Sequence, residues 1–159
     1  MTNTRCVLRY AQSMRRNLPM LLIRVLVGIV FLTEGVLKFV LPGELGVGRF
    51  AHIGLPAPNV LAPVVGVVEI AAGAAVLLGI YAGEAAVLLL AVIVTAILTT
   101  KIPILLGTHF WHFPVPKNVP HTGWLGFLHE ARTDISMLFC LAAILLDSPP
   151  RLGGSGRRS

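Results

Sequence analysis

Hydrophobic residues fall into four long runs along the chain, and short segments rich in glycine, proline and charged residues separate these runs. The runs cover residues 19–41, 59–80, 84–106 and 125–147. A helix needs about 20 residues to cross a hydrocarbon core of about 30 Å, and each run is that long. The pattern therefore predicts an all-α membrane protein with four transmembrane helices.

The segments between the runs predict how these helices are connected. Pro42-Gly43 ends the first run, and only a few residues separate the second run from the third. Consecutive helices are therefore neighbours that run antiparallel. We expect one antiparallel four-helix bundle over residues 19–147. A basic arm at residues 1–18 precedes the bundle, and a tail at residues 148–159, which we expect to be disordered, follows it.

The composition agrees with a membrane location. Hydrophobic residues make up 55% of the chain and charged residues only 13%, whereas about a quarter of the residues in a soluble domain are charged. The net charge of +6 does not indicate a nucleic-acid partner, because the arginines concentrate in residues 5–16 and 151–158. Arginine-rich flanks mark the cytoplasmic side of a membrane protein. They predict cytoplasmic N- and C-termini around helices that contact lipid.

Ionisable residues interrupt all four runs. If the helices alternate in direction, these residues lie about 8–15 Å below the outer surface, at a rise of 1.5 Å per residue. One ionised residue at mid-membrane costs about 2.5–3.5 kcal/mol, so we expect the side chains to meet inside the bundle. The candidate polar pocket consists of Glu34, Lys38, Glu69, Lys101, His129, Glu130, Arg132 and Asp134.

Two roles for this group of residues stay open. The ions could only lock the register of the helices, which is a known use of buried charge. Alternatively, they form an outward-opening pocket for a small molecule, a quinone head group or protons, since ionisable networks in membranes commonly mark such paths. The residue pattern does not choose between the structural role and the functional one.

Histidine and aromatic residues concentrate between residues 107 and 124, before the fourth run. Trp111 and Trp124 predict an aromatic rim at the membrane interface, where tryptophan is enriched. His109, His112 and His121 are candidate metal ligands, because neutral imidazole commonly binds metals. Their spacing matches no metal-binding motif, so the sequence predicts no metal site.

Sequence motifs with a defined chemistry are absent. Neither Cys6 nor Cys140 belongs to a Cys-x-x-Cys pair, and no glycine-rich phosphate loop or nucleophile elbow occurs. Catalytic residues are therefore not assigned, and whether the chain is an enzyme stays open.

A series of residues in the first half of the chain resembles a known family. The series is Arg24, Gly28, Phe31, Gly35, Lys38, Phe39, Phe50, Gly54-Leu55-Pro56, Glu69, Gly73 and Gly79. In this order and spacing it resembles the DoxX family of small bacterial membrane proteins. The third and fourth hydrophobic runs fit the four-helix layout of that family.

The resemblance implies a four-helix bundle in the bacterial inner (plasma) membrane and an association with redox chemistry. Relatives include membrane subunits of thiosulfate:quinone oxidoreductases and of oxidative-stress complexes. This chain departs from the family in its loop at residues 107–123 and in the segment at residues 129–134. Thiosulfate chemistry is therefore not carried over.

The leading hypothesis is an anchoring or accessory subunit of a membrane-associated redox complex, quinone- or thiol-linked, with the polar pocket in the outer half of the bundle. A quinone is the candidate cofactor. The candidate partners are a protein of the redox complex and a second copy of the chain. Two alternatives remain: a quinone-linked oxidoreductase subunit with a direct catalytic role, and a small-solute or proton-coupled transporter.

Overall fold

The computed structural model describes the backbone of residues 3–117 and 119–149, and the side chains from residue 18 onward within these ranges. Over these residues the fold consists of helices and loops, without a β-strand. The helices are α1 (Asn3–Val40), α2 (Val47–Ile53), α3 (Pro58–Leu78), α4 (Ala82–Ala96), α5 (Ile102–Leu106) and α6 (Gly123–Asp147), and a π-helical turn (Ile97–Lys101) joins α4 to α5. The predicted all-helical class is confirmed.

Three helical segments are long and apolar enough to cross a membrane. Among the described residues they are Leu18–Val40, Pro58–Leu78 and Ala82–Leu106. Their ends differ by at most two residues from the runs predicted at 19–41, 59–80 and 84–106. The prediction of several membrane-spanning helices is confirmed.

Helix α6 coincides with the fourth predicted run but differs from the other three segments in composition. It has 25 residues, and its first half carries Glu130, Arg132 and Asp134. With these charges it is not among the three segments. It nevertheless packs against α1 and α4.

The structure describes the predicted arm by its backbone, and it describes only the first two residues of the predicted tail. Helix α1 begins at Asn3, so its backbone continues through the predicted arm. The side chains of residues 3–17 and the tail from residue 150 onward are outside the described residues.

The long helices α1, α3, α4 and α6 pack in a closed ring, in which α1 and α4 each contact both α3 and α6. The most extensive contact joins α1 to α3 and depends on glycines. A Cβ on Gly28 would lie 3.0 Å from the Gly73 carbonyl oxygen, and a Cβ on Gly35 would lie 2.8 Å from that of Gly66. Because these residues have no side chain, the two backbones can approach closely, as membrane helices commonly do.

An apolar core fills the centre of the ring. Its fully buried members include Val27, Val76, Leu89, Leu141 and Ile144. Large apolar side chains also cover the outside of the ring, for example Leu22, Val67 and Phe139. Since the helices are apolar on both sides, packing within the ring and contact with lipid together account for the composition.

The third apolar segment is interrupted by the π-helical turn, and Pro103 follows this turn. Proline has no N–H, and its ring clashes with the carbonyl oxygen four residues earlier, which belongs here to Thr99. The wider turn accommodates Pro103, since the N–H of Ile102 donates to the carbonyl oxygen of Ile97. The apolar run at residues 84–106 predicts an unbroken helix, because the residues of the turn do not interrupt it.

Candidate functional site

A cavity of about 300 Å³ lies at one end of the ring, where α1 ends and α3 and α6 begin. Its wall comes from α1, α3, the end of α4, the π-helical turn and α6, with α2 against it. The charged side chains on the wall are Glu34, Lys38, Arg49, Glu69, Lys101, Glu130 and Asp134. Ligand pockets have volumes of about 300–1,000 Å³, so the cavity is large enough for a small ring system.

Lys38, Glu69 and Glu34 form the first ion cluster, which joins α1 to α3. Lys38 Nζ lies 2.6 Å from Glu69 Oε2 and 4.0 Å from Glu34 Oε2. The side chains of Lys38 and Glu69 are 10% and 5% exposed, whereas that of Glu34 is 50% exposed. Lys38 and Glu69 are therefore a buried ion pair, and Glu34 is held loosely beside it.

Lys101, Asp134 and Glu130 form the second ion cluster, which joins the π-helical turn to α6. Lys101 Nζ lies 3.5 Å from Asp134 Oδ2 and 4.0 Å from Glu130 Oε2. The two acids are four residues apart and so share one face of α6. The longer distances leave this cluster more open than the pair of Lys38 with Glu69.

The π-helical turn also brings hydroxyl groups to the cavity wall. Thr99 Oγ1 donates to the Thr95 carbonyl oxygen at 2.8 Å, and Thr100 Oγ1 donates to the Ala96 carbonyl oxygen. Such bonds satisfy the hydroxyls within the helix. Lys101 is therefore the charged group that the turn contributes to the cavity.

Helix α2 packs against α3 and brings Arg49 to the cavity wall. Two glycines allow the start of α2 to lie close to the chain segment that precedes it. A Cβ on Gly46 would collide with the Lys38 carbonyl oxygen, and a Cβ on Gly48 would collide with that of Gly43. A larger residue at either position would push the start of α2 away from the segment at residues 38–43.

The end of α2 is fixed by the Gly54-Leu55-Pro56 segment. Gly54 has φ of 85°, and its N–H donates to the Ala51 carbonyl oxygen at 3.1 Å. The Leu55 N–H donates to the Phe50 carbonyl oxygen at 3.0 Å. This is a glycine C-cap, and it places the side chains of Phe50 and Leu55 on the cavity wall.

The structure brings six of the predicted pocket residues to one cavity: Glu34, Lys38, Glu69, Lys101, Glu130 and Asp134. It does not place His129 and Arg132 there. Both are exposed, and Arg132 Nη1 donates to the His129 carbonyl oxygen at 2.5 Å. Arg132 is two residues from Glu130 and from Asp134, or roughly 200° round the helix, and so faces away from the wall that these acids share.

Arg49 is the charged cavity residue that is missing from the predicted pocket. It lies between two hydrophobic runs, where an arginine is usually solvated, and nothing in the pattern of runs predicts that the segment folds back. A signal was nevertheless present. Gly46 and Gly48 follow closely after the Pro42-Gly43 turn, and glycines at this spacing allow backbone segments to approach one another.

The aromatic and histidine residues of the α5–α6 loop are not on the cavity wall. Trp111 and Trp124 are exposed at the same end of the ring, and the interfacial rim stays a prediction. His109, His112 and His121 lie in this loop. Over residues 18–117 and 119–149, no three His, Cys, Asp or Glu side chains are close enough together to hold a metal ion.

A separate ion pair lies at the opposite end of the ring. Arg24 Nη2 is 2.9 Å from Asp147 Oδ2 and donates to Ser148 Oγ at 2.8 Å. This pair joins α1 to the end of α6. The sequence analysis noted Arg24 but not its partner, because Asp147 is the last residue of the fourth run.

Comparison with known proteins identifies the family. The model of the DoxX family matches residues 19–102, which is more than half of the 159 residues of the chain. The chain belongs to the DoxX family. This confirms the resemblance drawn from the residues of its first half.

A membrane protein of Mycobacterium tuberculosis (strain H37Rv), the uncharacterized Rv3486, is similar to this DoxX chain. The two are 46% identical over 129 residues, which cover 81% of this chain and 74% of the relative. No solved structure matches the chain.

The DoxX match divides the cavity between two parts of the chain. It includes the charged residues Glu34, Lys38, Arg49, Glu69 and Lys101, and it ends before α6. The two acids of the second ion cluster come from α6. This cluster therefore joins the matched part of the DoxX chain to a helix outside the match.

Proposed function

We propose that this DoxX-family protein is a four-span subunit of the plasma membrane that anchors or serves a redox complex, and that its cavity accepts a quinone head group. One observation carries the proposal. A cavity of about 300 Å³, lined by seven charged side chains, lies within a ring whose outside is apolar. Ionisable residues in a membrane protein are costly and commonly mark a site. The redox association comes from the family resemblance.

Two features favour a ligand site over a lock of helix register. If the ions only fixed the register of the helices, each cation would be in close contact with its acid. Lys101, however, lies 3.5 and 4.0 Å from its two acids. Glu34 is half exposed, and among the described side chains no acid lies within ion-pair distance of Arg49, which also lines the cavity. These loosely held charges surround open volume, so hydrogen-bonding groups are available to an incoming molecule.

The apolar part of the wall suits the ring of a quinone. Phe31, Ile93 and Met137 line the cavity on the side of the core and are buried, and Phe50 contributes from α2. A pocket with an apolar wall and a few polar groups is typical of sites for small organic molecules. The ring would pack against these side chains, and its oxygens would meet the charged groups.

The apolar side chains at the inner end of the cavity count against the transporter alternative. One turn beyond Phe31, Ile93 and Met137, the fully buried side chains of Val27 and Leu89 continue the apolar core. A solute path would have to pass through this core. The geometry therefore favours a site that is open at one end.

The proposal includes a fourth membrane span at α6 and cytoplasmic N- and C-termini. A helix of 25 residues is about 37 Å long at 1.5 Å per residue, which is enough to cross the membrane. Its two cavity acids, Glu130 and Asp134, face Lys101. They therefore avoid the free-energy cost of a charge that is exposed to lipid. The arginine-rich ends support the orientation.

Reporter fusions test this topology. Green fluorescent protein should fluoresce when fused to the C-terminus, and alkaline phosphatase should be active when inserted in the loop between α5 and α6 but inactive at the C-terminus. Active phosphatase at the C-terminus would mean that α6 does not span the membrane.

Filling the cavity tests the proposed ligand. Ala96→Phe places a ring on the cavity wall, whereas Ala91→Phe makes the same change at an exposed position of α4 that is not on the wall. We expect a short-chain quinone to bind the wild type and Ala91→Phe in lipid nanodiscs but not Ala96→Phe. Equal binding by both variants would contradict the proposal. Affinity purification of the two variants from membranes then tests whether a redox protein depends on the cavity.

A further inference from the structure

We infer that Arg49 is the recognition residue of the cavity and that the occupant is a neutral molecule presenting carbonyl oxygens to its guanidinium. This inference rests on the proposed function, whose ligand it specifies.

Arg49 is the cavity cation whose hydrogen-bonding capacity is not already used. Lys38 and Lys101 each have carboxylate oxygens within 4.0 Å. Across residues 18–117 and 119–149, Arg49 forms neither an ion pair within that distance nor a side-chain hydrogen bond. A guanidinium has five N–H donors and no acceptor. These donors are available to a molecule that enters the cavity.

The guanidinium lies within electrostatic reach of both ion clusters. It interacts at longer range with Glu69 of the first cluster and with Asp134 of the second. Arg49 is an exposed residue that lines the same cavity as both clusters, so its guanidinium is accessible to a molecule that enters from solvent. A ligand bound there would meet the arginine together with the loosely held Glu34, which also interacts with both of these acids.

The backbone that carries Arg49 is held in place. The N–H of the preceding residue, Gly48, donates to the Pro42 carbonyl oxygen at 2.9 Å, and Gly46 is packed against the Lys38 carbonyl oxygen. A recognition residue is most effective on a fixed element, because less order must be imposed when the ligand binds.

The charge balance of the wall selects a neutral ligand. Its acids are Glu34, Glu69, Glu130 and Asp134, and its bases are Lys38, Arg49 and Lys101. With all of them ionised, the wall carries one negative charge in excess. An anion would add to this excess, whereas a neutral carbonyl accepts hydrogen bonds from Arg49 without adding charge.

Three probes of one ring system separate these possibilities: a naphthoquinone, the corresponding naphthalene and a naphthoquinone sulfonate. Binding is measured to the full-length protein in lipid nanodiscs, with empty nanodiscs as the blank. The variants are Arg49→Gln and Arg49→Lys, and the matched control is Arg132→Gln, which removes an exposed arginine outside the cavity. Thermal unfolding of each variant checks that it is folded.

We expect Arg49→Gln to weaken naphthoquinone binding by about tenfold, the typical effect of a hydrogen bond to a charged group. Naphthalene binding should not change, Arg49→Lys should be intermediate, and Arg132→Gln should match the wild type. The sulfonate should bind the wild type more weakly than the parent quinone, a comparison that does not depend on any variant.

Two results would overturn the inference alone. One is an unchanged quinone affinity in Arg49→Gln, and the other is tighter binding of the sulfonate than of the parent quinone. If the wild type binds no naphthoquinone above the blank, the proposed function fails and the inference fails with it.

Discussion

Lys38 Nζ lies 2.6 Å from Glu69 Oε2, and this ion pair joins α1 to α3 beside their glycine contact at Gly35 and Gly66. Both side chains are almost completely buried. When one partner of a buried ion pair is removed, the other remains as an uncompensated charge. Loss of either partner should therefore destabilise the cavity end of the ring.

Replacing one member of this pair should be strongly destabilising. We expect Lys38→Met to lower the free energy of unfolding by about 3–5 kcal/mol, because Glu69 would be left buried and unpaired. Equilibrium unfolding in mixed detergent micelles measures the change. The double variant Lys38→Met/Glu69→Leu should recover most of the loss.

Glu34 is the control for this prediction. It lies 4.0 Å from the same lysine but is half exposed, so Glu34→Gln should cost less than about 1 kcal/mol. Equal losses in Lys38→Met and Glu34→Gln would mean that the buried pair of Lys38 with Glu69 contributes no more to stability than the exposed Glu34 does.

The glycine contact between α1 and α3 should not tolerate a methyl group. A Cβ on Gly28 would lie 2.7 Å from the Leu77 Cβ, so we expect Gly28→Ala to destabilise the protein by about 1–3 kcal/mol, as overpacking does. Gly43→Ala is the matched control, since a Cβ there meets nothing within 4 Å. A stability of Gly28→Ala equal to that of Gly43→Ala would show that the two helices are not in close contact.

The position of α2 should control ligand binding. In Gly48→Ala the new Cβ would collide with the Gly43 carbonyl oxygen, which moves α2 and its arginine away from the wall. We expect naphthoquinone affinity to fall about as far as in Arg49→Gln, by about tenfold, while the secondary structure measured by circular dichroism is kept. Unchanged affinity would mean that α2 does not position Arg49.

The ion pair at the opposite end should matter much less. The side chains of Arg24 and Asp147 are 23% and 45% exposed, so water screens their interaction. We expect Asp147→Asn to cost less than about 1 kcal/mol and to leave quinone binding unchanged. A loss as large as that of Lys38→Met would show that this contact also holds the ring together.

The elements of the ring and most of the cavity could be predicted from the sequence. Each helix rises by a fixed 1.5 Å per residue, so residue counts from the loops place Glu34, Glu69 and Lys101 at similar depths. Because unpaired charge in lipid is costly, common depth implies a common site. The structure brings these residues to one cavity.

Other features depend on contacts that residue counts do not contain. Arg49 reaches the wall only because α2 folds back on glycines, and the apolar run does not reveal the π-helical turn before Pro103. The charge of Arg132 alone suggests that it belongs to the pocket. Glu130 and Asp134 turn towards Lys101, however, and this rotation of α6 places Arg132 on the opposite face. Rotation about a helix axis is set by neighbouring helices, and hydropathy fixes it poorly when several faces are polar.

The central claim is that the cavity holds a quinone-like molecule, and mass spectrometry of the protein purified gently in native lipid tests it most directly. We predict a near-stoichiometric bound quinone in the wild type and in Ala91→Phe, and its loss in Ala96→Phe, whose added ring occupies the cavity. A wild-type protein without a bound small molecule, or a quinone retained equally by Ala96→Phe, would contradict the claim.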